Sequence, residues 1–300
     1  TMMPRLEVGR MKGSAEVGGA VTVVNAISTG RGAAIGISLR LRATAELSEN
    51  GPFSFRCNNR EVDDSVARTA FELLAERYGL KGYGCKIEVD SEIPVAVGLK
   101  SSSAAASAIT LALLDAIGEV PRYQDLLNLV TEVSIRSGTS ITGAADDASA
   151  CMLGGFVVTD NRRSALLMRA EVDERLRVVI AVPEGMRTYT ASFKREALAP
   201  FRDLVEVAFE HAMRGDYLRA MTLNGFIHAA ALGYGTEVIV GAIRKGALAC
   251  SISGTGPAIA ALCAEESVEQ VREELEAYGR TTVVRVNNSP ARYGGRRVSL

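Results

Sequence analysis

Pro94-Val95-Ala96-Val97-Gly98-Leu99-Lys100-Ser101-Ser102-Ser103-Ala104-Ala105-Ala106 reads as a tight turn feeding a helix. Ahead of it, Lys86 to Val89 has the character of a strand, and behind it Ala104 to Ile117 is rich in Ala and Leu, the strongest helix formers. Serine is a favoured N-cap because its hydroxyl accepts a hydrogen bond from an orphan N–H of the first turn, so a serine cap is expected here. The first-turn N–H groups and the positive end of the helix dipole make such a terminus a site for an anion, commonly phosphate. Gly98 permits close backbone approach, the small residues after it leave room for a bulky ligand, and Lys100 adds a mobile positive charge. A capped, Ala-rich buried helix would give the same pattern, so helix-start signals alone leave both readings open.

Working outward, three other stretches stand out. Gly18-Gly19-Ala20-Val21-Thr22-Val23-Val24-Asn25-Ala26 is followed by Thr29-Gly30-Arg31-Gly32-Ala33-Ala34-Ile35-Gly36, within a strand-like region from Arg5 to Leu47. Gly30-x-Gly32 invites a dinucleotide-binding reading. The next glycine falls one residue too far for Gly-x-Gly-x-x-Gly, and alternation rather than a helix follows. Polar Asn25, Ser28 and Thr29 among glycines also suit a plain hairpin. Ser137 to Gly155 contains Thr142-Gly143-Ala144-Ala145-Asp146-Asp147-Ala148, two adjacent carboxylates in small, apolar company. Acids in such company cap a helix, bind a cation or do chemistry, and an N-cap would account for one of them more easily than for both. Ser253-Gly254-Thr255-Gly256-Pro257 lies between the apolar runs Leu248–Ile252 and Ile259–Cys263 and is expected to close a hairpin.

The chain's bulk properties narrow the class. Its 300 residues, 47% hydrophobic and 23% charged, suffice for two folded domains. A net charge of −1 with both signs scattered carries no nucleic-acid or membrane-surface footprint. Five dispersed cysteines without a Cys-x-x-Cys pair point to free thiols in a reducing cytoplasm. No run reaches the length of a membrane span, the N-terminus lacks a signal-peptide pattern, and no heptads specify an oligomer. His211 and His228 have no partners at metal spacing and read as structural.

Helices are expected over Glu61–Tyr78, from Pro121 onward, and over Asp203–Met213, Asp216–Leu232, Thr236–Lys245 and Ser267–Tyr278. The composition turns Arg-rich and polar after Asn161, which puts the domain boundary near residue 170, with segments 1–170 and 171–300. The second segment, ordered β–helices–β–β–α–β, is ferredoxin-like in kind with antiparallel pairing. The fold class is α+β.

Pro-x-x-x-Gly-Leu-x-Ser-Ser-Ser-Ala-Ala resembles the phosphate-binding motif of the GHMP small-molecule kinases, with Lys100 standing where the family's usual third glycine does. The Leu-Lys-Ser-Ser-Ser form, the Gly18–Gly36 block and the Thr-Gly-Ala-x-Asp-Asp-Ala run resemble one branch, the archaeal-type shikimate kinases. Ser253–Pro257 resembles the family's third motif. The resemblance implies the two-domain GHMP fold, with a ribosomal protein S5 domain 2-like N-terminal half, and transfer of the ATP γ-phosphoryl to a hydroxyl of shikimate with Mg2+. It implies phosphate contacts from Pro94, Gly98, Leu99, Lys100, Ser101, Ser102, Ser103 and Ala104. Asp147, seven residues before Gly154-Gly155, matches the acid placed near the acceptor hydroxyl, with Asp146 and Lys100 as its catalytic companions. Thr22, Asn25, Thr29, Arg31, Thr142, Gly254, Thr255 and Gly256 are implied on the substrate side, and Ser102 and Glu132 on the metal. The substrate carboxylate needs a cation, for which Arg31, Lys194 and Arg292 are candidates. Other readings are a kinase for homoserine, pantoate or a mevalonate-type alcohol, and a catalytically silent sensor on the same fold. The chain has no Gly-x-x-x-x-Gly-Lys-[Ser/Thr] and is no P-loop enzyme.

Overall fold

The computed structural model describes residues 11–187 and 195–300. β1 (Met11–Val24) and β2 (Arg31–Glu49) form a long antiparallel hairpin, paired from Met11↔Leu47 to Val24↔Ala33. From Val17 onward every residue of β1 is buried, so both faces of this half of the hairpin are covered. β3 (Ser54–Cys57) leads to α1 (Ser65–Tyr78), closed by left-handed Gly79 as its sequence predicts. The helix starts at Ser65 rather than Glu61, because the Ser65 hydroxyl bonds the Asp63 carboxylate at 2.6 Å and this local bond competes with a helical turn.

β4 (Tyr83–Ser91) pairs with the far half of β2, and α2 (Ser101–Ala116) packs against β1, buried on most of its circumference. Its alanines leave little side-chain bulk between helix and sheet, which explains an Ala-rich helix at the centre of the domain. α3 (Tyr123–Arg136) and α4 (Ala145–Leu153) follow, then β5 (Phe156–Asp160) against the near half of β2, and β6 (Ala165–Ala170) against β5.

The chain then changes sheet. β7 (Arg177–Val182), α5 (Arg202–Met213), α6 (Tyr217–Leu232), α7 (Glu237–Arg244), β8 (Ala247–Ile252), β9 (Ile259–Cys263), α8 (Val268–Glu276) and β10 (Arg280–Arg285) follow in that order. The four strands pair antiparallel in the order β10-β7-β9-β8, the ferredoxin-like arrangement expected. One face of this sheet, with Val178, Ile180 and Leu262, joins the core of the first sheet. The other face, with Val179, Ala181 and Ile259, packs on Ile239 of α7 and Val271 and Leu275 of α8.

A segment 171–300 kept wholly in the second unit needs correction. β11 (Arg292–Tyr293) returns to pair with β1 at Ala15 and Glu16, and β12 (Arg296–Arg297) pairs with β11. Buried Tyr293 and Val298 anchor the tail to the first core. No helix among the described residues is long and apolar enough to cross a membrane. The five cysteines are unpaired, four of them buried.

α6 carries the buried His228, whose Nδ1 donates to the Asn224 carbonyl at 3.0 Å. Burial pushes this imidazole down to about 4, against an ordinary value of 6.5. The neutral form is the one the fold accommodates, so its contribution is complete above pH 6.5 and is lost as the pH falls from 6.5 through 4. Linkage puts this at roughly 3 kcal/mol. Chemical denaturation at a series of pH values is expected to show this loss in the wild type and a shallower one in His228→Gln.

Candidate active site

α2 begins without a serine cap. Ser101 is its first helical residue, preceded by Lys100 in the left-handed region at φ 67°, and no side chain caps the terminus. The serines therefore occupy the first turn, and the terminus is left open to a ligand. α4 starts in the same way. Left-handed Ala144 precedes it, neither acid caps it, and Asp146 and Asp147 sit in its first turn. Both helix starts border one cavity of about 270 Å³, lined by Ser101, Ser102 and Ser103 on one side and by Ala144, Asp146 and Asp147 on the other.

Lys100 joins the two termini. Its Nζ lies 2.9 Å from Asp147 Oδ1, and its side chain is only 7% exposed, so the expected mobile charge is a fixed one. Among the described lining residues Lys100 is the single cation. The two acids differ in surroundings. Asp146 is almost wholly buried and accepts from Asn161 Nδ2 at 2.8 Å, whereas the Asp147 side chain is 16% exposed. Burial first, and then the neighbouring Asp147 charge, push the Asp146 carboxyl upward, with Lys100 and Asn161 opposing.

The third side of the cavity comes from the β8–β9 loop. Gly254 donates its N–H to Thr22 Oγ1 at 2.8 Å, and its carbonyl accepts from Asn25 Nδ2 at 2.9 Å. The buried Ser253 hydroxyl donates to the Gly98 carbonyl at 2.7 Å and accepts from the Thr22 N–H at 3.2 Å. Gly98, at φ 93°, faces the Ser253 carbonyl so closely that a Cβ would collide with it. The close approach expected at Gly98 is thus made to the opposing loop. Thr22 and Asn25 hold that loop in place as well as lining the cavity.

Thr22, Asn25, Gly98, Lys100, Ser101, Ser102, Ser103, Thr142, Asp146, Asp147, Gly254 and Thr255 meet as the sequence reading expected. Others do not. Leu99 and Ala104 turn into the core, with exposures of 2% and 0%. Gly256 bonds the Ser253 carbonyl to close the turn behind the cavity, and Pro94 borders a second cavity instead. Thr29 exchanges hydrogen bonds with the Arg31 backbone, and the Arg31 guanidinium pairs with Glu206 and lies over the Phe209 ring, 4.5 Å from its centroid. Arg31 therefore already has a carboxylate partner and does not line the cavity. Arg292 is exposed on β11, remote from the lining, and Lys194 lies outside the described residues.

Glu132 is a further correction. It stands on the α1-facing side of α3, paired with Arg136 at 2.6 Å and Arg77 at 3.1 Å, and contributes nothing to either cavity. No cluster of three metal-ligating side chains exists among the described residues. Of the two residues expected on the metal, Ser102 alone lines the cavity and offers it a hydroxyl. That set fits a hard divalent cation that keeps most of its oxygens from water and phosphate.

The second cavity, of about 980 Å³, adjoins the first along Val95, Ser101, Ser102 and Thr139 and is walled by Leu41, Phe55, Val66, Val89 and Ile93. Sequence reasoning missed the Gly138–Ile141 side of the first cavity, and Ala26, Ile27, Val95, Ala96 and Ala144. The Ser/Thr/Gly run before Thr142 signals a loop, but nothing local tells which of its residues face inward.

An uncapped helix start, a fixed lysine–carboxylate pair and a largely apolar neighbouring chamber, on a two-sheet α+β frame, are parts that phosphoryl transfer to a small molecule uses. The family profile described as GHMP kinases N terminal domain matches residues 65–155, and that described as GHMP kinases C terminal matches residues 215–281. The chain belongs to the GHMP kinase family and is a phosphotransferase. It is 40% identical to the shikimate kinase of Methanosarcina mazei, over 94% of this chain and 96% of that one. It is 38% identical to the shikimate kinase of Thermococcus kodakarensis, over 89% and 97%. Among solved structures, Methanococcus jannaschii mevalonate kinase superposes with a TM-score of 0.73 at 17% identity, covering 95% of this chain and 100% of that one. Homoserine kinase from Cytophaga hutchinsonii superposes with 0.71 at 20%, covering 93% and 97%. These two likenesses concern the fold.

Proposed function

We propose that the chain transfers the γ-phosphoryl group of ATP to a hydroxyl of shikimate, giving 3-phosphoshikimate and ADP, with Mg2+ accompanying the nucleotide. The observation that carries this is the Lys100–Asp147 pair set between two open helix starts. The identity to archaeal shikimate kinases over nearly the whole chain supports the choice of acceptor.

In this reading the first-turn N–H groups and hydroxyls of Ser101, Ser102 and Ser103 hold the phosphates, and the adjoining apolar chamber receives the base. Ser102 would be the protein's ligand to Mg2+, which supplies charge neutralisation along the phosphates. Asp147 orients the acceptor hydroxyl and takes its proton as oxygen bonds to phosphorus and the bond to the β-phosphate oxygen breaks. Lys100 keeps Asp147 in place and balances negative charge at the transferring group. Five free thiols suit a reducing cytoplasm, where we place the enzyme.

A coupled ADP-release assay with Mg-ATP against shikimate, homoserine, pantoate and mevalonate tests the reading. Turnover on shikimate is expected. Turnover on another alcohol alone would overturn the choice of acceptor while leaving the Asp147 chemistry standing. ATP binding without transfer to any of the four would indicate a sensor.

A further inference from the structure

We propose that Asn161 is a positioning residue for phosphoryl transfer, one that pins Asp146 inward so that Asp147 is the carboxylate presented to the acceptor. The proposal rests on the kinase reading above and decides a question that two adjacent aspartates leave open.

Asn161 lies directly after β5 and is 4% exposed. Its amide orientation is fixed from one side. The buried Thr159 hydroxyl donates to Asn161 Oδ1 at 2.6 Å, which leaves the NH2 group to face the other way. That group donates to Asp146 Oδ1 at 2.8 Å and to Thr142 Oγ1 at 3.3 Å. Asp146 is confined on its other side as well. Its Oδ2 abuts Gly32 of β2, where any Cβ would collide with the carboxylate. One carboxylate oxygen is therefore held by an amide and the other lies against a strand backbone. Asp147, one residue on, has Lys100 as its ion-pair partner and the greater exposure. Buried polar groups in such a chain are expensive to leave unpaired, so the Thr159–Asn161–Asp146 hydrogen bonds, with Gly32 against the second oxygen, restrict Asp146 to one arrangement. It also ties the start of α4 to β5 and to the 137–144 loop, and with it the placement of Asp147.

The test is steady-state kinetics of Asn161→Ala and Thr159→Val beside the wild type, with thermal melts of each. A displaced carboxylate should lower kcat by ~10- to 100-fold in Asn161→Ala and by less in Thr159→Val, with the KM for ATP held. In an Asp146→Asn background, Asn161→Ala should add little further loss, because its effect runs through Asp146. Equal fold-losses in the two backgrounds, or an unchanged kcat in Thr159→Val, would overturn the proposal. So would a loss that follows the melting temperature alone and disappears on cooling the assay. If Asp146→Asn has no measurable turnover, Thr159→Val decides. Wild-type turnover on another alcohol instead of shikimate would overturn the acceptor assignment only, and the same comparison then runs on that alcohol.

Discussion

Asp147→Asn is expected to lower turnover by ~10²–10⁴-fold while ATP binding stays within about twofold of the wild type. The amide keeps the shape of the side chain but cannot take the acceptor proton. It also ends the charge pairing with Lys100, whose side chain is only 7% exposed. The two consequences separate in the data. Loss of the proton acceptor lowers kcat with substrate binding intact, whereas a lysine freed to drift would also raise the KM for ATP. Isothermal titration with a non-hydrolysable ATP analogue, beside kcat and KM from the coupled assay, distinguishes them. Near-normal turnover would remove Asp147 from its role.

Gly98→Ala is expected to cost the fold roughly 3 kcal/mol and to abolish most activity. The residue sits at φ 93°, which disfavours any side chain, and its Cβ would meet the Ser253 carbonyl. Relief requires the phosphate loop and the β8–β9 loop to part. That breaks the Ser253–Gly98 hydrogen bond and the neighbouring bond from the Ala258 N–H to the Val97 carbonyl. The urea midpoint reports the stability loss, and the KM for ATP should rise along with it. An unchanged midpoint would mean that the two loops are not packed as described.

Gly98 and Asp147 are both conspicuous in the amino-acid sequence, as are the serines after Gly98. The reason is that a strand, a glycine turn and an Ala-rich helix follow each other closely in the chain, so local propensity places a helix start, a candidate anion site, after Gly98. Asp146 and Asp147 stand out for a similar reason, being charges in a run too apolar to hide them without purpose. The alternation of β2, the Gly79 cap and the β8–β9 hairpin are legible on the same local grounds.

What the sequence does not reveal requires distant partners. Arg31 reads as available for a substrate carboxylate, yet Glu206 and Phe209, from α5, stand against it. Glu132 matches a pattern position, but which way a residue on an amphipathic helix faces depends on its neighbours, and here they are Arg77 and Arg136. The return of β11 to β1 does not follow from two residues of strand. Asn161 is inconspicuous in a polar turn, because its partner is Asp146, fifteen residues away in the chain and 2.8 Å away in space. By itself the sequence marked a candidate anion site among the serines after Gly98 and a separate pair of acids in small, apolar company, since each is a pattern local to a few residues. Only the tertiary structure decided which charges are already paired, which acid is the more buried, and that the serines and the acids border one cavity. Those outcomes depend on burial and pairing between segments that the chain order keeps apart.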